Sequence, residues 1–176
     1  MAAATPAITA LGRAGIAHVV HRYAHDPRTD GYGAEAVAAL SESVGVEAEQ
    51  ILKTLVIEIS GGGSRAHLAV AVLPVPRRLS LKAAAAALGG AKAVMAAERD
   101  VTRATGYVLG GVSPVGQRTA LPTVVDASAL DQPRILCSAG RRGLEIELSP
   151  TDLVTVTGAV TADILSLIHI SEPTRL

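Results

Sequence analysis

Lys53 stands directly before a β-branched run, Thr54 to Ile59. A long cation at the mouth of a strand can point into a cleft, or it can simply guard a strand edge at the surface. Further along, the segment Gly106 to Gly116 (GYVLGGVSPVG) is dense enough in glycine for its backbone to approach a ligand and turn N–H groups inward. Such N–H groups can stabilise a developing oxyanion, although a glycine-rich stretch alone is more often a turn. Ser138 opens the stretch Ser138-Ala139-Gly140, which can present hydroxyl and amide donors to a pocket. Its neighbour Cys137 lies inside the apolar run Ile135-Leu136-Cys137 and reads as a small buried thiol rather than a nucleophile.

The usual catalytic templates are missing. The chain has no Gly-x-Ser-x-Gly elbow, no GxxxxGK[ST] loop, no His-Glu-x-x-His and no second cysteine to help hold zinc. His18, His21, His25, His67 and His169 are scattered, and His18 and His21, three apart on an extended segment, would face opposite sides. No metal site and no cofactor are expected.

The elements that must carry these residues follow from local signals. Thr5-Pro6 supplies a capping hydroxyl and a first-turn proline for a helix with Ile8, Leu11 and Ala14 at helical spacing, ended by Gly15. A strand is expected over Ile16 to Tyr23, a loop over Ala24 to Gly33, a helix over Ala34 to Leu40 and a helical turn over Val46 to Leu52. Gly61-Gly62-Gly63 joins Thr54 to Ile59 with His67 to Leu73 as a hairpin. Ser80 can cap a helix over Leu81 to Leu88, and Glu98 to Ala104 forms another. Strands follow at Thr123 to Asp126, Ile135 to Ser138 and Leu144 to Leu148, then a short helix at Thr151 to Val154 behind Ser149-Pro150. Strands and short helices mix without regular alternation, which points to an α+β fold.

Several motifs occur in order along the chain: Tyr23-Ala24-His25-Asp26-Pro27, Lys53-Thr54-Leu55, Leu68-Ala69-Val70-Ala71-Val72 with Pro74, Thr105-Gly106-Tyr107 through Gly110-Gly111 to Ser113-Pro114 and Gly116-Gln117, Leu121-Pro122-Thr123 with Asp126, and Arg142-Gly143-Leu144. Together they resemble the YbaK family of aminoacyl-tRNA deacylases. The resemblance implies a mixed, barrel-like β-sheet with peripheral helices and a site of Tyr23, Lys53, Gly110 and Ser138. It also implies trans-editing of mischarged Cys-tRNA(Pro), in which the thiol of the cysteinyl group attacks its own ester carbonyl. Lys53 would then orient the substrate and offset charge, the Gly110 N–H would hold the carbonyl oxygen, and Tyr23 and Ser138 would position the aminoacyl end. Two departures stand out: Ala139 where the family has glycine, and Glu145 where it often has aspartate. A positive φ at residue 139 would strain an alanine. A deacylase for Ala-tRNA(Pro) or another small amino acid, or a non-catalytic module binding tRNA or a synthetase, are the rival readings.

Composition sets the outer limits. At 176 residues, 49% apolar with three Tyr and no Trp or Phe, the chain suits one domain with a core of Ala, Val, Leu and Ile. Its apolar stretches, such as Ala83 to Leu88 and Leu68 to Val75, are far shorter than the roughly 20 residues of a membrane span. The first ten residues lack the charge of a secretory signal, and one cysteine suits a reducing cytoplasm. Sixteen basic residues balance sixteen acidic ones, so any contact with RNA must be local, with Arg77-Arg78, Lys82 and Arg141-Arg142 as candidates. Selectivity for tRNA(Pro) is then expected to come partly from a partner, prolyl-tRNA synthetase. Leu165 to Leu176 (LSLIHISEPTRL) differs from the body and resembles translated adaptor sequence, so the domain is expected over 1–164 with 165–176 as a non-native or disordered tail.

Overall fold

The computed structural model describes residues 4–29 and 31–167. Helix α1 (Pro6–Arg13) starts where Thr5 Oγ1 accepts the Ile8 N–H at 3.1 Å, with Pro6 in the first turn, where its missing N–H costs nothing. The same hydroxyl donates to the Ala139 carbonyl at 2.6 Å, tying the helix to a distant strand. Ser80 caps α3 (Leu81–Ala87) through the Ala83 N–H, and Ser149, ahead of Pro150, caps α5 (Pro150–Thr157) through the Asp152 N–H. Helices α2 (Tyr32–Ser43) and α4 (Glu98–Thr105) are the other α-helices among the described residues, the latter stopped by Gly106 in the left-handed region.

Two sheets carry the strands. In the first, β1 (Val19–Arg22), β7 (Leu144–Leu148) and β6 (Ile135–Arg141) run antiparallel in the order β1-β7-β6. The second has the order β4-β2-β3-β5-β8, built from β2 (Leu52–Gly61), β3 (Ser64–Pro74), β4 (Lys92–Met95), β5 (Thr123–Asp126) and β8 (Val160–Ala162). Strands β2 and β3 form the expected hairpin, with Lys53 opposite Leu73 and Val56 opposite Val70. A parallel bridge from Ile51 to Leu136 brings the sheets side by side.

Alternation along β3 divides the core. Val70 and Val72 join Ile135, Cys137, Ile146 and Leu148 with α1 and α5 in a cluster drawn from both sheets. Ala69, Ala71 and Leu73 face the other way, against Ile57, Ile59 and α3. Each fully buried Leu or Ile contributes about 2 kcal/mol in place of the missing aromatics. Asp126, 1% exposed, closes the end of β5: its carboxylate accepts the Ile164 N–H at 2.9 Å and the Ser128 N–H at 3.1 Å.

The α+β class holds, with three corrections and some additions. The sheets do not close, so the expected barrel-like sheet is two sheets sharing a core. Lys53 lies inside β2 rather than ahead of it, and the turn over 46–52 shrinks to a single 3-10 turn, Ala48–Gln50. Strands β4 and β8 join the second sheet. Leu165 bridges Leu79, and the Ser166 N–H donates to the Arg78 carbonyl at 2.8 Å, so both residues pair with the segment ahead of α3. Residues 168–176 of the expected tail lie outside the described residues. No described helix is long and apolar enough to cross a membrane.

Candidate active site

The elements converge on a cleft of about 780 Å³. The start of β2 supplies Lys53 and Thr54, the end of β1 leads into Tyr23, and β6 and β7 supply Ser138 and Glu145. The first turn of α2 contributes Tyr32, and the glycine-rich segment contributes Leu109, Gly110 and Val112. All four residues expected at a site, Tyr23, Lys53, Gly110 and Ser138, therefore line one cavity.

The Lys53 ammonium makes no hydrogen bond or ion pair with the described residues, although the backbone of Lys53 is part of the β2–β3 ladder. Burial, with Arg78 nearby, lowers its pKa from the usual lysine range. A half-buried ammonium without a carboxylate is primed to meet negative charge brought in from outside. Tyr23 is held neutral, its phenol pushed up to about 12 by burial and by the charge of Glu145. Ser138 Oγ accepts the Gly140 N–H at 3.1 Å, which leaves the hydroxyl proton free to donate into the cleft.

Gly110 shows why the loop needs glycine. Its φ is 85°, and a Cβ there would lie 2.6 Å from Cδ2 of Tyr32. Tyr32 is itself pinned, with the Arg142 guanidinium 4.5 Å from its ring centroid and the His25 ring 6.2 Å away. Arg142 Nε also donates to the Leu109 carbonyl at 2.9 Å, so one side chain fixes both the loop and the ring packed on it. Beneath the loop, Tyr107 is buried and its hydroxyl donates to the Val115 carbonyl at 2.7 Å. Ser113 Oγ accepts the Val115 N–H at 3.2 Å. These two motif residues are scaffold.

Glu145 was not among the expected site residues. It sits directly across from Ser138 in the β6–β7 register, so both side chains share a face. It is 6% exposed, its carboxyl has no hydrogen bond or cationic partner among the described residues, and burial pushes that carboxyl up to about 8. Its acidic type at this position was visible in the sequence, but burial and alignment with Ser138 depend on strand register.

Other candidates fall away from the cleft. Cys137 is fully buried in the shared core, where burial raises its thiol well above its usual range. Arg77 is paired with Glu49 at 3.2 Å, and His25 with Glu35 at 2.8 Å. No described non-glycine residue has a positive φ, so Ala139 is unstrained. Among the described residues no group of three or more His, Cys, Asp or Glu side chains could hold a metal ion. The cleft thus offers an ammonium, a glycine loop, hydroxyls and a buried carboxyl, with no histidine among its lining residues.

Comparison with known proteins places this arrangement. The family model of the aminoacyl-tRNA editing domain matches residues 33–156. Over 135 residues the chain is 38% identical to EbsC of Enterococcus faecalis, a proposed Cys-tRNA(Pro)/Cys-tRNA(Cys) deacylase, covering 77% of this chain and 78% of that one. It is 28% identical over 119 residues to the multifunctional Ser/Thr-tRNA deacylase ProXp-y of Escherichia coli K12, covering 67% and 71%. A crystal structure of a proposed trans-editing enzyme for prolyl-tRNA synthetase superposes with a TM-score of 0.74 at 29% identity, covering 94% of this chain and 99% of that one.

Proposed function

Because the chain belongs to the aminoacyl-tRNA editing domain family, and is on that ground an aminoacyl-tRNA deacylase, we propose that its substrate is mischarged Cys-tRNA(Pro). The observation that carries this reading is the shared cleft, where an unpaired ammonium and a glycine loop meet and the lining residues include neither histidine nor cysteine. The 38% identity to EbsC favours cysteine over the hydroxy amino acids of the more distant relative.

In the proposed reaction the ester carbonyl lies against the Gly110 loop, whose N–H groups and the Lys53 ammonium take up negative charge as it develops on oxygen. The substrate thiol loses its proton and its sulfur attacks the carbonyl carbon. The bond from that carbon to the ribose oxygen breaks, the ribose oxygen takes up a proton, and water opens the resulting cyclic thioester to free cysteine. Tyr23, as a neutral phenol, and Ser138 hold the aminoacyl end by hydrogen bonds. Glu145 receives the α-ammonium, an ion pair that draws its raised pKa back down and gives the buried carboxyl a partner.

Editing of this kind answers a physical limit, since a synthetase pocket separates small side chains by only a few kcal/mol. We assign prolyl-tRNA synthetase as the partner that delivers the tRNA, on the strength of the structural neighbour's description and of this chain's zero net charge. The site of action would be the cytoplasm, where charged tRNA is used.

The test is hydrolysis of Cys-, Ser- and Ala-tRNA(Pro) side by side. Cysteine is expected to be cleaved at least about 100-fold faster than serine, which has the same shape but a far poorer nucleophile. Equal rates for cysteine and serine would contradict the thiol mechanism and move the chain toward the Ser/Thr-specific relative.

A further inference from the structure

A second, shallower cleft of about 650 Å³ opens at the start of the glycine-rich segment, lined by Glu98, Arg99, Thr102, Arg103, Gly106 and Arg118. Arg99 and Arg103 are one turn apart on α4, so two like charges share a helix face, an arrangement that costs stability when nothing anionic faces it. Arg118 arrives from the far end of the segment. Its N–H bonds the Thr105 carbonyl at 3.0 Å, its side chain passes within 3.5 Å of where a Gly106 Cβ would stand, and Nη1 approaches the Arg103 carbonyl at 3.5 Å.

Among the described residues none of these three guanidinium groups pairs with a carboxylate, whereas Arg28, Arg77 and Arg134 each do. Glu98 is the one acidic residue in the lining, so the cleft is locally positive on a chain with no net charge. Exposed planar forks in this density suit phosphate oxygens better than a single lysine would.

The two clefts share the glycine-rich segment. Gly106 lines the one and Gly110 the other, and four residues of chain span at most about 14 Å. Val108 and Leu109 lie between them, 54% and 36% exposed, as apolar surface open to a base. A stacked strand carries one phosphate about every 3.4 Å, so an RNA end seated at Gly110 brings phosphates within about four nucleotides of that end to the arginines.

We propose that Arg99, Arg103 and Arg118 bind the sugar-phosphate backbone of the tRNA strand whose aminoacylated end occupies the cleft at Lys53 and Gly110, an inference that rests on the deacylase reading for its choice of RNA. The experiment compares the full chain with its Arg99→Gln, Arg103→Gln, Arg118→Gln variant, without synthetase. Binding of uncharged tRNA(Pro) is titrated from 50 to 200 mM salt, and hydrolysis of 3′-cysteinyl-adenosine, which lacks the backbone, is measured alongside.

The variant is expected to bind tRNA at least tenfold more weakly at 50 mM salt. Its plot of log affinity against log salt should be shallower by about 2, from three contacts at about 0.7 each. Cysteinyl-adenosine should be cleaved by both proteins at the same rate. Unchanged tRNA affinity and salt slope would overturn the proposal, as would a defect that emerges only when synthetase is added, which would make the arginines a protein-docking site. If neither protein cleaves cysteinyl-adenosine yet the variant alone loses tRNA binding, the deacylase reading fails and the phosphate site stands.

Discussion

At the scale of single residues, Glu145 makes the clearest solution prediction. Its carboxyl titrates near 4.5 when the chain is unfolded and at about 8 when folded, because burial disfavours the charged form. Between those values the folded state holds a proton that the unfolded state has lost, so this group's effect lowers stability as pH rises from 4.5 to 8. The loss is on the order of 4 kcal/mol at the top of that window. Glu145→Gln should remove most of the decline, read as denaturant midpoints at pH 5 and pH 8; a variant with the wild-type slope would contradict the burial argument. Residue types were legible in the sequence where chemistry narrows them, as with Lys53 beside a β-branched run or Cys137 in an apolar run. Glu145 and Tyr32 were not, because each acquires its role from a partner across a strand or from another element: Ser138 for one, Gly110 and Arg142 for the other.

Elements were readable wherever a local signal suffices. The caps Thr5, Ser80 and Ser149 start three helices by accepting an N–H three residues on, a bond that needs no tertiary context. Strands β4 and β8 escaped because each is short and exposed along an edge, and pairing with β2 or β5 makes it a strand. Whether the sheet closes is equally non-local. Two predictions belong at this level. Thr5→Val removes both the cap and the bond to Ala139, and should cost about 1–3 kcal/mol by chemical denaturation. Gly110→Ala forces a left-handed alanine, at about 1–2 kcal/mol, and pushes a methyl into Tyr32. That variant should lose about 100-fold in deacylation while melting only a few degrees lower, and full activity would remove the loop from the site.

For the whole molecule, two sheets meet through one shared core, and the site forms at their junction beside the Ile51 to Leu136 bridge. The segment 164–166 is part of that assembly. Asp126 holds Ile164, while Leu165 and Ser166 pair with the segment ahead of α3. We propose that residues 165–167 contribute to the stability of the folded body. A chain ending at Ile164 should melt roughly 2–8 °C below one ending at Leu167, from losing a partly buried leucine and its bridge. Equal melting temperatures would contradict that contribution.

The account turns on Lys53 acting on an ester held at Gly110. The most direct measurement is hydrolysis of Cys-tRNA(Pro) by the wild-type chain and by Lys53→Ala at pH 7. Loss of the ammonium should lower kcat/KM by about 100-fold or more, with the melting temperature unchanged or raised because an unpaired buried charge has gone. A Lys53→Ala protein that cleaves Cys-tRNA(Pro) at the wild-type rate would contradict it.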